Sequence, residues 1–156
     1  MIRKSAGILP YRKVKGTFEV FLVHPGGPYW SSKDLNAWSV AKGEPDGDEE
    51  IFAAAVREFR EETGLDISGE YLELEPVKQP GGKMVYAWAV EYDLDESRVE
   101  SNLFTMEWPP RSGKTEEFPE VDKAGWFGFE TARQKIVKGQ VPILDQLEGH
   151  LLGRLR

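Results

Sequence analysis

The stretch GEPDGDEEIFAAAVREFREETGL, residues 43–65, decides how the rest of the chain is read. Glu44-Pro45-Asp46-Gly47-Asp48 is turn-forming, with Asp46 or Asp48 available as an N-cap. A helix is predicted over 49–63, and Gly64 stands where a left-handed glycine ends a helix. At about 100° per residue, with Glu58 at zero, Glu61 and Glu62 fall roughly 60° to one side and 40° to the other. Ile51, Ala54 and Ala55 share that arc nearer the N-terminus, and Phe52, Val56, Phe59 and Thr63 form a second apolar stripe. Three acids therefore continue a buried side of the helix, whereas solvated charges belong opposite the apolar stripes.

That placement is unfavourable for a helix left to itself. Like charges three and four residues apart destabilise by about 0.2–0.5 kcal/mol per pair, more where water is excluded. The helix dipole also disfavours anions near its C-terminal end. Bound Mg2+ or Mn2+ would turn the repulsion into coordination. Compensation by Arg57 and Arg60 within a salt-bridged helix is the plainer alternative.

The outer sequence narrows the classes. With 156 residues, 40% of them hydrophobic, the chain suits a single domain over 1–156 with a proper core. No apolar run reaches the ~20 residues of a membrane span. The absence of cysteine excludes disulfides, thiolate metal sites and a cysteine nucleophile. A cytoplasmic protein is expected, since the N-terminus lacks a secretory pattern. The net charge is −7, of which residues 43–65 carry −6, and no basic stripe suggests a polynucleotide partner.

Strands are predicted at 5–11 and 18–24, joined by a polar loop over 12–17, with a short extended run at 37–41. Further strands are predicted at 71–77, 84–92, 102–108 and 125–129, with a bend at Gly81-Gly82. Helices are predicted at 130–138 and 142–152, separated by Gly139. This order suits an α/β (α+β) fold, a mixed sheet with helices on both faces.

Gly43, Glu49, Arg57, Glu58, Glu61, Glu62 and Gly64 occupy the charged and glycine positions of a 23-residue loop-helix-loop pattern, and the segment resembles the Nudix box. Phe59 stands where an aliphatic residue is commoner, a departure in packing only. The resemblance implies a Nudix-type α/β/α sandwich and a hydrolase that cleaves a diphosphate linkage by water attack on phosphorus with Mg2+ or Mn2+. It implies Glu58, Glu61 and Glu62 as metal ligands with the carbonyl of Gly43 as a further one. Arg57 would pin Glu58 or Glu49, and Glu49 would brace the helix N-terminus rather than bind metal. The base would be Glu58 or Glu61, or else Glu120, whose place six residues before Trp126 resembles the extra carboxylate of several Nudix enzymes. Glu120 would serve as a fourth metal ligand or as the base, a plain exposed loop acid being the alternative.

Lys42, Lys83, Arg111 and Lys114 are candidates for phosphate contact, and Tyr29 and Trp30 for stacking on a base. Exposed solubility charges are the alternative for the cations, and core packing is expected of Trp88 and Trp126. His24 reads as a satisfied structural histidine and His150 as a solvated one. Ser112-Gly113-Lys114-Thr115 mimics the end of a P-loop, but Trp108 stands where its first glycine is needed. The expected substrate is a nucleoside polyphosphate or dinucleoside polyphosphate. A nucleotide-sugar (ADP-ribose-type) diphosphatase and a catalytically silent nucleotide sensor are the alternatives, and a homodimer is left open.

Overall fold

The computed structural model describes residues 3–153. Strand β1 (Lys4–Val14) is central. Its C-terminal half pairs antiparallel with β2 (Thr17–Pro25), its N-terminal half with β3 (Ala41–Gly43), and its other edge parallel with β6 (Met84–Glu91). Pro10 falls between the two antiparallel partners, where a missing N–H costs least. Strands β4 (Tyr71–Glu73) and β5 (Val77–Lys78) pair with β6. Strands β7 (Leu103–Glu107) and β8 (Thr115–Pro119) form a separate hairpin, and β9 (Val121–Gly128) closes the main sheet beside β2.

Side-chain alternation sorts the core into two layers. Leu9, Val20 and Leu22 face helices α2 (Phe129–Lys135) and α3 (Val141–Gly153), where Ile143, Leu144 and Leu147 are fully buried. Ile8, Phe21 and Val23 face helix α1 (Ile51–Thr63), where they meet Ala54, Ala55 and Phe59. The mixed sheet thus carries helices on both faces, as predicted. Phe59 is completely buried and lies 6.2 Å from Phe21, ring to ring, so its aromatic bulk fills the layer beneath β2. Among the described residues no helix is long and apolar enough to cross a membrane.

Several local expectations are corrected. The loop over 12–17 is a two-residue turn, because Lys15 and Gly16 take φ of 50° and 82° and let both strands run on to meet. Helix α1 starts at Ile51 behind Glu50, not at 49, and neither Asp46 nor Asp48 caps it. Strand β8 lies outside the expected strands, and β9 starts earlier than the expected 125, since buried Val121 pairs with Pro25 and exposed Lys123 with His24. The extended run at 37–41 makes isolated bridges, and the paired strand lies at Ala41–Gly43. The predicted strand at 71–77 is broken into β4 and β5. Residues 138–140 form a 3-10 turn (Lys138–Gln140) and not the end of a helix. Gly64 does end α1, with φ of 71° and its N–H on the carbonyl of Arg60.

Candidate active site

Arg57 is the hub of the acidic helix. Its Nε and Nη2 form a fork on Glu49, each at 2.9 Å, and Nη2 also reaches the carbonyl of Glu44 at 3.2 Å. Its Nη1 donates to Glu58 at 3.0 Å and to both oxygens of Glu61, at 3.0 and 3.1 Å. Arg57 thus holds Glu49, Glu58 and Glu61 together, where the sequence suggested Glu58 or Glu49. Glu49 also accepts from the backbone N–H of Asp46, bracing the turn before the helix. Hydrogen bonds from Arg57, then that N–H, hold the Glu49 carboxyl down at about 2. Arg60 pairs with Asp66, away from this cluster.

Strand β3 supplies the facing wall. A Cβ on Gly43 would lie 2.1 Å from the carboxyl carbon of Glu58, so only glycine lets that carboxylate reach the strand. Next to it, Glu62 accepts from the backbone N–H of Lys42 at 3.2 Å. Burial, then the charge of Glu58, pushes the Glu62 carboxyl up to about 8. The Lys42 ammonium is lowered, first by burial and then by Lys83, against the opposing charge of Glu62.

A cavity of about 310 Å³ opens beside this wall, and Trp30, Lys42, Glu62 and Glu120 line it. Glu120 stands between β8 and β9 on backbone bonds, its N–H to Asn102 and its carbonyl from Gly26. Its charge adds to the upward pressure on Glu62. Lys83 does not line the cavity, and its charge acts on Lys42 from outside the lining. Tyr29 and Arg111 do not line the cavity. Tyr29 is exposed, with its ring edge-on to Trp108 at 5.4 Å. Arg111 sits at the tip of the β7–β8 hairpin, where the carboxylate of Glu107 already takes the backbone N–H groups of Arg111 and Gly113. The Ser112–Thr115 segment is therefore a hairpin tip and no phosphate loop.

Trp88 and Trp126 are half-buried within strands, the latter beneath the Arg12 guanidinium at 4.2 Å. His24 is buried between Asp122 and the carbonyl of Lys33, and His150 is exposed. Sequence reasoning missed the polar floor of the cavity, made by Ser39, Gln79 and Gln140. Their only sequence signal was a glutamine just after Gly139, too weak to single out.

The family model described as NUDIX domain matches residues 1–147. The chain belongs to the NUDIX domain family. As a Nudix hydrolase it acts on pyrophosphate bonds, and the family generally uses divalent metal ions. No curated protein matches the Nudix chain by sequence. Among solved structures it is similar to a C. elegans Ap4A hydrolase in a binary complex, at 23% identity and a TM-score of 0.66, over 97% of this chain and 99% of that one. It is also similar to the NUDIX domain of Shewanella oneidensis NrtR complexed with ADP ribose, at 12% identity and 0.68, over 97% and 89%. The E. coli ORF135 protein matches at 20% and 0.61, over 98% and 94%. At these identities the likeness is one of fold.

Among the described residues no three His, Cys, Asp or Glu side chains are gathered as a ready metal cage, and Glu58 and Glu61 are drawn onto Arg57. The donor set nevertheless suits a hard divalent cation: carboxylate oxygens on one helix edge, and a glycine backbone that Glu58 can approach only because it lacks a Cβ.

Proposed function

We propose that this Nudix domain, working as a single unit, hydrolyses a diphosphate linkage in a nucleoside polyphosphate or dinucleoside polyphosphate with Mg2+ or Mn2+. The observation that carries the reading is the meeting of the acidic helix edge with β3, Glu58 against the Gly43 backbone and Glu62 on the N–H of Lys42, beside a cavity that Lys42 and Glu62 line. Glu58, Glu61, Glu62 and the carbonyl of Gly43 would hold the metal. Bound there, it would neutralise phosphate charge and lower the pKa of the attacking water.

The chain's own groups have separable tasks. Arg57 keeps Glu58 and Glu61 from swinging away from the strand wall. Lys42 and Lys83 offset phosphate charge in a domain of net charge −7. Glu58, Glu61 or Glu120 takes the proton of the attacking water, and the position of Glu120 in the cavity wall supports its candidacy. Trp30 stacks on the organic part of the substrate. Tyr29, edge-on to Trp108 outside the cavity, and Arg111, at the hairpin tip, reach the substrate only if the hairpin moves in.

The Ap4A hydrolase likeness favours a dinucleoside polyphosphate substrate, and the NrtR domain with ADP ribose favours a nucleotide sugar as the second reading. A panel of dinucleoside polyphosphates, nucleoside triphosphates and ADP-ribose, with Mg2+ or Mn2+, tests both. Product identification locates the broken bond. No cleavage product from any of them at high enzyme concentration would overturn the proposal.

A further inference from the structure

The cavity floor carries polar groups that the acidic helix does not use. Gln140 is 1% exposed, just before α3. Its Oε1 accepts from the backbone N–H of Val40 at 3.0 Å. A backbone N–H can only donate, so the amide has one orientation, with its oxygen on Val40. Its Nε2 donates to Ser39 Oγ at 3.0 Å and to Gln79 Oε1 at 3.3 Å. This second bond orients Gln79 in turn. The oxygen of Gln79 is occupied, so its Nε2 is the free end of the amide, and no acceptor among the described residues takes it.

The backbone is shaped around this pair. The N–H of Gln79 donates to the carbonyl of Lys83 at 2.8 Å, and its carbonyl accepts from Gly82 at 2.9 Å, closing a tight turn. A Cβ on Gly139 would come within 2.8 Å of Pro80 and 3.2 Å of Gln79, so the turn reaches Gln140 only past a glycine. Satisfying Val40 needs Gln140 alone. The added Gln79 extends the chain of amides, each polarising the next, into a donor on the wall of a cavity whose apolar part is lined by Val23, Val40, Val121 and Val137 and whose charged part by Lys42, Glu62 and Glu120.

We propose that Gln79, oriented by Gln140, donates a hydrogen bond to an acceptor atom on the base of the substrate nucleotide, making Gln79 the specificity residue and Gln140 its positioning residue. The inference rests on the nucleotide-hydrolysing reading above. Apolar walls with Trp30 at the side suit the faces of a flat ring, and an edge donor selects among rings by where they carry an acceptor. At about 310 Å³ the cavity encloses one nucleoside, so recognition of this kind falls on one end of the substrate.

The test compares ATP, GTP, CTP and UTP by kcat and KM with Mg2+, and follows binding of the matching diphosphates by tryptophan fluorescence. The wild type should prefer one base. Gln79→Met should cut that preference about three- to tenfold, mainly through KM and Kd. Gln140→Glu keeps an acceptor for Val40 but removes the donor to Gln79, and it should flatten the preference similarly while Gln79 is intact. The double variant should be no flatter than Gln79→Met. An unchanged base preference in Gln79→Met, or a wild type that turns nucleotides over without preference, overturns this inference and leaves the hydrolase reading standing. A wild type that hydrolyses neither these nucleotides nor any dinucleoside polyphosphate or ADP-ribose overturns both. Gln79→Met decides alone if Gln140→Glu does not fold.

Discussion

Gly43 and Glu58 are in contact across the gap between β3 and α1, with no room for a methyl group between the Gly43 backbone and the Glu58 carboxylate. Residues 15 apart in the chain are thus made one feature, and the contact separates positioning from folding. Gly43→Ala would displace only the end of a flexible side chain, so the melting temperature should change little. Turnover should fall on the order of 10²-fold, the cost of misplacing a group by an ångström. Parallel thermal melts and rates check this, and a variant of full activity would remove Glu58 from the site.

Arg57 is the only side chain seen bonded to Glu49, Glu58 and Glu61 together among the described residues. Its own side chain is 28% exposed, so solvent screens the cluster in part. Arg57→Ala should cost about 1–3 kcal/mol, below the range for a fully buried pair. Arg57→Lys should recover only part of it, because an ammonium cannot fork onto Glu49. Denaturant unfolding of the three proteins measures both numbers, and equal stability of all three would contradict the hub.

Glu62→Gln separates chemistry from structure. The carboxylate sits where burial and Glu58 oppose its charge, so the amide should leave stability unchanged or raise it. Under the proposed function turnover should drop by about 10²-fold or more. A Glu62→Gln protein that turns over as fast as wild type would return the helix to a structural role.

Glu49 predicts the acid limb of stability. Its folded value of about 2 lies below the ordinary 4.5, so the unfolded chain takes up the proton first. The stabilisation is complete above pH 4.5 and is lost as the pH falls towards 2. The melting-temperature gap between wild type and Glu49→Gln should shrink through that window. A gap of constant size from pH 6 to pH 2 would show that Glu49 is not held by Arg57 in solution.

The sequence by itself determined what depends on neighbours along the chain. The periodicity of residues 51–63, the glycine at 64 and the spacing from Gly43 to Gly64 are local, so the helix, its end and the family were legible. So were the strands over 5–11 and 18–24, although the two layers their side chains face were not. The tertiary structure alone decided which distant groups meet. It set Arg57 on three carboxylates at once, placed Glu120 beside Glu62 across 58 residues of chain, and kept Tyr29 and Arg111 off the cavity wall. It also carried Gln140 to Val40 and Gln79. Such meetings follow from strand pairing and loop closure, whose energies are shared across the whole sheet and leave no periodic mark on the residues they bring together.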